Sequence, residues 1–376
     1  MTETTVMTDV PYQLRRLGVL MSADLADPNE VEGVLNPASG RDRDGRLWLL
    51  PRLVAAGNMS RIGLAEILFD HGTPTGVRRD GVVLAPDAGW ERGHDHAGVE
   101  DPRITWIPTL GLHVMAYVAF GPLGPRPALA VSDDLRTWRR LGPLHFEYQP
   151  DLDLDMNLAP NKDVVIFPDP VPGPTGRPAY ALLHRPMWDL GSIRQRGEDV
   201  YLPAGLDDPR PGIWISYVEV DAVKRDVAAL THVRGHRLVA LPEYDYEIHK
   251  IGAGPPPVRV DEGWLLIHHG VSGSLSEGWA PQRNVVYSAG AMLLDPLDPG
   301  SVLARTAYPL LTPMVAAERD GTVPNVVFPT AIEEVDGQHF VFYGMADSNI
   351  GVALLERVGS VSTDNQVSTD NQEGTA

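Results

Sequence analysis

The sequence contains no cysteine, which excludes disulfide bonds and thiolate metal sites. Basic residues are also scarce, since 31 lysines and arginines stand against 50 acidic residues and the formal net charge is −19 at pH 7. An acidic surface repels phosphate backbones and anionic membranes, so neither a nucleic acid nor a membrane is expected as a partner. A binding site for an anion would therefore need cations that the fold brings together locally.

The sequence also lacks long apolar runs, and no segment approaches the roughly 18 apolar residues of a membrane span. Its first residues, Met1 to Gln13, contain no apolar core flanked by basic residues, so no secretory signal is visible. These features predict a cytoplasmic protein. Helical periodicity is weak as well, and residues 221–230 are the one stretch that favours a short helix.

Glycine and proline are plentiful, at 37 and 34 residues, which favours many short elements joined by turns. Five short runs rich in aromatic and branched residues recur along the chain, and each is followed by a second apolar run. The first runs are residues 46–50, 113–118, 178–183, 263–267 and 339–343, and the second runs are 61–65, 127–131, 213–218, 285–291 and 350–354. Their composition predicts buried β-strands.

The repeat predicts the architecture, because units spaced roughly 65 to 85 residues apart suggest the blades of a propeller. We therefore expect an all-β protein, a five-bladed β-propeller with its active site at the central channel. Residues 26–358 would form the propeller, and an N-terminal arm of residues 1–25 would close the ring. Residues 359–376 carry a duplicated polar hexapeptide and are expected to form a disordered tail.

One stretch of the second unit concentrates chemistry, because Glu100 and Asp101 stand directly before Pro102 and Arg103. Proline disfavours the helical region for the residue before it, so Asp101 is expected to be extended and fixed at a strand entrance. Arg103 could pair with one of the two acids and separate their pKa values, giving one proton donor and one ionised partner. The alternative is an Asx-turn with a surface ion pair.

Three cations stand at the ends of predicted strands, namely Lys162, Arg185 and Lys250. Each alone is typical of a solvated surface charge. Three cations at one channel of an acidic protein would instead form an oxyanion pocket. The Gly252-Ala253-Gly254 segment after Lys250 lacks the context of a phosphate loop, so it is expected to allow close backbone packing near the channel.

The histidines do not form a recognisable metal motif. Neither the pair His268-His269 nor the pair His94 and His96 has a third ligand at a diagnostic spacing. We therefore expect no metal site.

Four segments occur in a fixed order and carry a resemblance to a known family. They are residues 98–103, 250–256, 324–329 and 343–347. Over about residues 30 to 355 the chain resembles glycoside hydrolase family 130, the β-mannoside phosphorylases and β-mannosidases. The resemblance implies a five-bladed propeller that cleaves a β-linked mannoside with inorganic phosphate as co-substrate and no other cofactor. Inversion would give α-mannose 1-phosphate.

The resemblance also implies roles for single residues. Asp101 would be the general acid and would pass its proton through a hydroxyl of the bound mannose. The implied phosphate-binding residues are Arg61, Lys162, Arg185, Lys250 and Tyr287, and the implied substrate-binding residues are Asn36, Asp163 and Asp347. At Lys162 many family phosphorylases have arginine, which grips phosphate with two bonds where lysine offers a point charge.

Two other functions remain open at this point. An inverting β-mannosidase on the same scaffold needs an acid and a base with water between them, and Asp163 or Glu243 could be that base. A propeller that binds carbohydrate without catalysis is the second alternative. Arg185 and Lys250 favour phosphorolysis over these alternatives. The expected substrate is β-1,2-mannobiose or a short β-mannan fragment, and the loops 189–211 and 272–283 would set the linkage. The chain could also act as a homo-oligomer, which the sequence leaves open.

Overall fold

A computed structural model describes residues 9–93, 96–188, 202–274 and 284–358. The predicted disordered tail lies outside these residues. Within them, no helix is long and apolar enough to cross a membrane.

The described residues form an all-β structure with two short α-helices. The strands of the first half are β1 (Tyr12–Ser22), β2 (Gly33–Arg41), β3 (Leu47–Ala55), β4 (Met59–Asp70), β5 (Thr73–Leu84), β6 (Ala97–Ile107), β7 (Leu112–Gly121), β8 (Gly124–Ser132), β9 (Arg139–Pro143), β10 (His145–Phe146), β11 (Asn161–Ile166), β12 (Val171–Pro172) and β13 (Pro178–Pro186). The second half contains β14 (Ile213–Glu219), α1 (Val220–Arg225), β15 (His232–Ala240), β16 (Lys250–Ala253), β17 (Val258–Val260), β18 (Gly263–Ser274), β19 (Asn284–Leu294), β20 (Val302–Arg305), α2 (Ala316–Arg319), β21 (Val327–Val335), β22 (Gln338–Met345) and β23 (Asn349–Arg357).

Hydrogen bonds group the described strands into four sheets. The largest has the order β2-β3-β4-β6-β7-β8-β9, with β5 also paired to β4. The second has the order β10-β15-β14-β13-β11 with β12 on β13, and the third is β16-β18-β19-β20 with β17 on β18. The fourth is β1-β23-β22-β21.

Each predicted apolar run lies in a strand, and the second strand of each predicted pair is confirmed as well. In β22, for example, Phe340, Val341, Phe342 and Tyr343 are all buried, although successive side chains point to opposite faces of a sheet. A strand that is apolar on both faces must be covered on both sides. The stretch predicted as a helix forms α1 followed by a short 3₁₀ helix, Val227–Thr231.

Apolar clusters between the sheets provide that cover. One cluster joins Phe340 and Phe342 to Val34 and Leu49, which lie in another sheet. A second joins Leu183 and Ile215 to Leu266. Each sheet therefore packs face to face with its neighbours, as sheets do in a propeller-like arrangement.

Five further strands, β2, β6, β11, β16 and β21, precede the first apolar runs, where the sequence predicted no more than a strand entrance at Asp101. Each lies at an end of its sheet or at the junction within the largest sheet. β2 contacts both β6 and β21, and β11 contacts both β6 and β16. These five inner strands thus lie together, and the polar side chains of the chain's motifs meet there.

The N-terminal strand completes the last sheet. β1 pairs antiparallel with β23, from Tyr12 opposite Arg357 to Ser22 opposite Asn349. The beginning and the end of the described chain are therefore held side by side.

Candidate active site

Three inner strands bend at the residues that carry the site's polar side chains. Asn36, Asp101 and Asp163 have φ angles of 41°, 47° and 55°. Each lies at a register shift, in β2, β6 and β11 respectively. Asparagine and aspartate tolerate this left-handed conformation better than other residues with a side chain. A β-bulge at such a residue redirects its side chain, and bulges are frequent next to active sites.

The conformation of Asp101 corrects the expectation from sequence. Pro102 was expected to leave Asp101 extended, but a φ of 47° places it in the left-handed region. The bulge between Glu100 and Arg103 imposes this conformation, because β6 must keep its pairing with β7 on both sides of it.

Arg52 of β3 holds the two adjacent acids. Its Nη1 donates to Asp101 Oδ1 at 3.0 Å, and its Nη2 donates to Glu100 Oε1 at 2.9 Å. Asn36 Nδ2 donates to the same Asp101 oxygen at 2.7 Å. Asp101 therefore has one oxygen fixed by two donors, while its side chain is only 8% exposed.

Arg103 does not pair with either adjacent acid, contrary to the expectation from their spacing. Its Nη1 donates to the backbone carbonyl of Asp101 at 2.8 Å, and its Nη2 lies 3.6 Å from Asp163 Oδ1. Its guanidinium also lies over the Phe328 ring, with 5.4 Å to the ring centroid. Arg103 thus links the Asp101 backbone to a second carboxylate.

Asp163 is the centre of a second group of charges. Arg185 Nε donates to its Oδ2 at 2.6 Å, and His269 Nε2 lies 3.5 Å from the same oxygen. Burial raises the pKa of Asp163, but the charges of Arg185 and Arg103 together with the neighbouring His269 outweigh it, so the pKa lies below its usual range. Burial also holds the pKa of His269 well below its usual value. Asp163 is therefore ionised, and it orients Arg185.

Two lysines and a tyrosine complete the cationic side of the site. Lys162 Nζ lies 3.6 Å from Glu100 Oε2, and Lys162 stands opposite Arg185 in the pairing of β11 and β13. Lys250 Nζ lies 5.3 Å from the centroid of the buried Tyr287 ring. Burial and the neighbouring charges of Arg185 and Lys162 lower the pKa of Lys250 to about 7, although Asp163 opposes the shift. Like charges are thus crowded together, and a bound anion would relieve their repulsion.

Two carboxylates near Arg52 have pKa values that move apart. Burial raises the pKa of Asp101, but Arg52, Lys162 and Arg103 outweigh it and the net shift is downward. Burial raises the pKa of Asp347 to about 6, and the negative charges of Asp101 and Glu100 add to this rise while Arg52 opposes it. The site therefore contains one carboxylate that favours ionisation and another that holds a proton more readily.

The structure gathers most of the residues singled out from sequence. Contacts or close charge interactions join the following residues into one cluster: Asn36, Asp101, Lys162, Asp163, Arg185, Lys250, Tyr287 and Asp347. Gly252 and Gly254 pack as expected, because a Cβ on Gly252 would lie 2.2 Å from Asp163 Oδ2 and one on Gly254 would lie 2.6 Å from the Ile267 carbonyl oxygen.

Two predicted residues are not joined to this cluster. Arg61 Nη1 donates to Asn29 Oδ1 at 2.6 Å, and among the described residues no hydrogen bond or ion pair connects it to Asp101 or to the other cations. Glu243, an alternative base, has a 61% exposed side chain that lies 3.5 Å from Arg305. The role of Arg61 in phosphate binding stays a prediction.

Sequence reasoning missed two members of the cluster. Arg52 is a lone arginine between Pro51 and Leu53 in an otherwise apolar strand, and a buried arginine there must find a carboxylate. His269 follows His268 in β18, but the alternation of a strand sends the two side chains to different neighbours. His268 Nε2 contacts Glu247 Oε1 at 2.7 Å, whereas His269 lies beside Asp163.

The loops expected to set the linkage are only partly described. Residues 189–201 and 275–283 lie outside the described ranges. Within the described ranges, no group of three histidine, aspartate or glutamate side chains is arranged to hold a metal ion. The absence of a metal from this chemistry stays a prediction.

Taken together, a propeller-like all-β fold and a cluster of carboxylates and cations at its inner strands are typical of enzymes that act on carbohydrates. The match to known proteins makes this class specific. A model of the glycoside hydrolase 130 family, described as β-1,4-mannooligosaccharide phosphorylase, matches residues 26–359. The chain belongs to this family of enzymes, and the resemblance found in its sequence is confirmed.

Two relatives from Thermoanaerobacter sp. (strain X514) are similar over most of the chain. A β-1,2-mannobiose phosphorylase is 34% identical over 69% of this chain and 67% of its own length. A 1,2-β-oligomannan phosphorylase is 32% identical over 74% of this chain and 77% of its own length.

A solved structure shares the fold. The β-1,2-mannobiose phosphorylase of Listeria innocua, in complex with β-1,2-mannobiose, superposes with a TM-score of 0.65 at 20% identity, covering 93% of this chain and 97% of the other.

Proposed function

We propose that this protein is an inverting phosphorylase that cleaves β-1,2-linked mannobiose or short β-1,2-mannooligosaccharides with inorganic phosphate and releases α-mannose 1-phosphate. The observation that carries the proposal is the crowding of Lys250, Arg185 and Lys162, of which Lys162 also lies near Asp101, in a protein whose net charge is −19. Mutually repelling cations do nothing for the binding of a neutral sugar. They do favour the binding of a phosphate dianion, which attracts all of them.

The cations are arranged to hold phosphate by its oxygens. Asp163 binds the Arg185 Nε, and among the described residues the buried Arg185 Nη1 has no hydrogen-bond partner. Arg185 can therefore give this N–H to a ligand without breaking its own support. Arg185 and Lys162 lower the pKa of Lys250, and a dianion bound beside Lys250 would raise it again. Lys250 would then be fully protonated and positively charged. Tyr287 would close the pocket beside Lys250.

In the proposed reaction, a phosphate oxygen attacks the anomeric carbon of the mannose as the glycosidic carbon–oxygen bond breaks. The departing oxygen takes a proton that Asp101 supplies through a mannose hydroxyl, and Asp101 is left as a carboxylate. The attacking phosphate is monoprotonated, so the new mannose 1-phosphate still carries one proton. That proton can return to Asp101, and protons balance over one turnover. Attack from the face opposite the leaving group inverts the β-linkage to the α-phosphate.

The net downward shift in the pKa of Asp101 disfavours the protonated form that a general acid needs, so this sequence of events requires phosphate binding to offset the shift. Lys162 contributes to that shift, and a bound phosphate dianion would neutralise part of its effect. Asp101 would therefore take up its proton most readily when phosphate is bound, which couples acid catalysis to the presence of the nucleophile. Asn36 and Asp347 would bind hydroxyls of the mannose.

The finer architecture is also proposed. We infer five blades around one channel, because only two residue pairs, Met59 with Ala97 and Ser60 with Gly98, join β4 to β6. Dividing the largest sheet there leaves five units with the inner strands β2, β6, β11, β16 and β21. A crystal structure in which the two halves of that sheet form one continuous blade would contradict this count.

The decisive experiment incubates the enzyme with β-1,2-mannobiose in the presence and absence of inorganic phosphate and follows the anomeric protons by NMR. We expect α-mannose 1-phosphate and free mannose in equal amounts, formed only with phosphate. Release of mannose at the same rate without phosphate would make the protein a β-mannosidase, and binding without turnover would make it a carbohydrate-binding propeller. The charged product would stay inside the cell, which fits the expected cytoplasmic location.

A further inference from the structure

A second cavity lies among the inner strands, at the end away from Asp101. Its volume is about 410 Å³, which is within the range of small-molecule sites. The residues that define its chemistry are Ser39, Arg41, Trp106, His113, Asp133 and Glu333. They lie in or next to β2, β6, β7, β8 and β21, and β2, β6 and β21 contact one another.

The cavity is separate from the candidate active site. Asp101 and Trp106 both lie in β6, five residues apart, which is roughly 16 Å in a fully extended strand and somewhat less across the bulge between Glu100 and Arg103. Asn36 and Arg41 stand in the same relation in β2. The inner strands thus carry the reaction site toward one end and this cavity toward the other.

Trp106 offers an aromatic surface in the cavity. It is 44% exposed, and it is supported from within by the buried His113, whose ring centroid is 4.7 Å away at an interplanar angle of 51°. An exposed indole costs free energy unless something covers it, and a supported ring loses little entropy when it is covered. The apolar face of a pyranose ring is a suitable cover for such a surface.

Polar groups of both signs surround this aromatic surface. Ser39 Oγ donates to Glu333 Oε1 at 2.8 Å, and burial raises the pKa of Glu333 to about 7. His113 is 4% exposed, and among the described residues its Nδ1 has no hydrogen-bond partner. Both side chains line the cavity. Glu333 could bond to hydroxyl groups, whereas the buried His113 supports the Trp106 ring.

The arginines of the cavity already have hydrogen-bond partners within the protein. Arg43 Nη2 bonds to Asp133 Oδ2 at 3.0 Å, and Arg41 donates to the carbonyl oxygens of Gly45 and Glu334 at 2.8 and 2.9 Å. An anionic ligand would have to break these bonds, and it would meet Glu333. A neutral ligand rich in hydroxyl groups fits the cavity better.

We propose that this cavity is a non-catalytic binding site for one or two pyranose units of a neutral oligosaccharide, with Trp106 as the stacking surface and Glu333 as a hydrogen-bond partner. The choice of a β-mannoside as the first probe rests on the proposed function. A site of this kind would hold an oligosaccharide near the enzyme without taking part in its cleavage.

Isothermal titration calorimetry of β-1,2-mannobiose into the Asp101→Asn variant tests the proposal, because this variant binds sugar without turnover. We expect two sites per chain, and the additional change Trp106→Ala should weaken one of them by about tenfold or more. Phe69→Ala is the matched control, since Phe69 is 38% exposed in β4 and does not line the cavity. A single site in the parent, or two unchanged sites after Trp106→Ala, would overturn the proposal.

A second variant guards against misfolding. Glu333→Gln keeps the shape of the side chain and should also weaken the second site, with an unfolding temperature close to that of the parent.

In the wild-type background, Trp106→Ala should leave kcat/KM for β-1,2-mannobiose within about twofold. If phosphorolysis fails while the Trp106-dependent site persists, the proposed function falls and this inference stands. If Trp106→Ala changes only the sedimentation coefficient, the cavity is a contact between copies and the inference is wrong.

Discussion

Replacing Arg52 by methionine should destabilise the protein strongly, because Arg52 is the shared partner of two buried carboxylates. The substitution removes hydrogen bonds of 3.0 Å to Asp101 and 2.9 Å to Glu100. Removing one partner of a buried ion pair costs about 3 to 5 kcal/mol, since the remaining charge is left without compensation. Asp101 keeps Asn36 and Glu100 keeps Lys162 at 3.6 Å, so we expect a loss near the lower limit, about 3 kcal/mol.

The measurement is the free energy of unfolding in urea, compared between wild type and Arg52→Met at several pH values. The pKa of Asp101 is lowered in the folded protein, so its stabilising effect is present above the unfolded pKa of about 3.9 and is lost as the pH falls. The difference between the two proteins should therefore be full at pH 7 and should shrink below about pH 4.

Arg15→Met provides the matched control. Arg15 pairs with Glu356 at 2.7 Å, but its side chain is 56% exposed, so the change should cost less than about 1 kcal/mol. Equal losses for the two variants, or a loss for Arg52→Met that is the same at pH 3 and pH 7, would refute the assignment of Arg52 as the clamp of the two acids.

Three further predictions concern the site. Asp101→Asn should lower kcat with phosphate by at least about 100-fold and should also lower the unfolding temperature, because its ion pair with Arg52 is lost, while Asp70→Asn, at a 74% exposed side chain, should change neither. Near-wild-type activity of Asp101→Asn would remove Asp101 from catalysis. Arg185→Ala should raise the KM for phosphate by about tenfold or more, because a charge-assisted hydrogen bond is lost, and an unchanged KM would place the phosphate elsewhere. Asp347→Asn should stabilise the protein at pH 7.5 by up to about 2 kcal/mol and have no effect at pH 4. The pKa of Asp347 is raised to about 6 in the folded protein, so ionisation of Asp347 costs stability as the pH rises through this value. An equal effect on urea unfolding at both pH values would contradict this.

Composition and local patterning predicted the strands well. The five aromatic-rich runs are apolar on both faces, and such runs have few structural alternatives when glycine and proline punctuate them. The residue types of the site were equally visible, because Lys162, Arg185 and Lys250 are conspicuous in a chain so poor in cations. Their convergence follows from a fold that brings the inner strands together.

Other features could not be read from local patterns. The left-handed conformation of Asp101 follows from keeping β6 in register with β7 on both sides of a bulge, and the preceding-proline rule alone indicates the opposite. The pairing of Arg52 with Glu100 and Asp101 spans nearly 50 residues, so nothing near Arg52 in the sequence announces it. The number of blades is obscured for a similar reason, since the parallel pairing of β4 with β6 merges two units into one sheet.

The pairing of β1 with β23 has a consequence for biosynthesis. Tyr12 and Arg357 are opposite neighbours in the sheet, so β1 leaves the ribosome long before its partner strand has been made. Until then, its backbone donors and acceptors are available to any other unpaired strand, including one from a neighbouring nascent chain. β1 can pair with β23 only after β23 has been synthesised, so a delay in translation between the two strands would lengthen the period of risk.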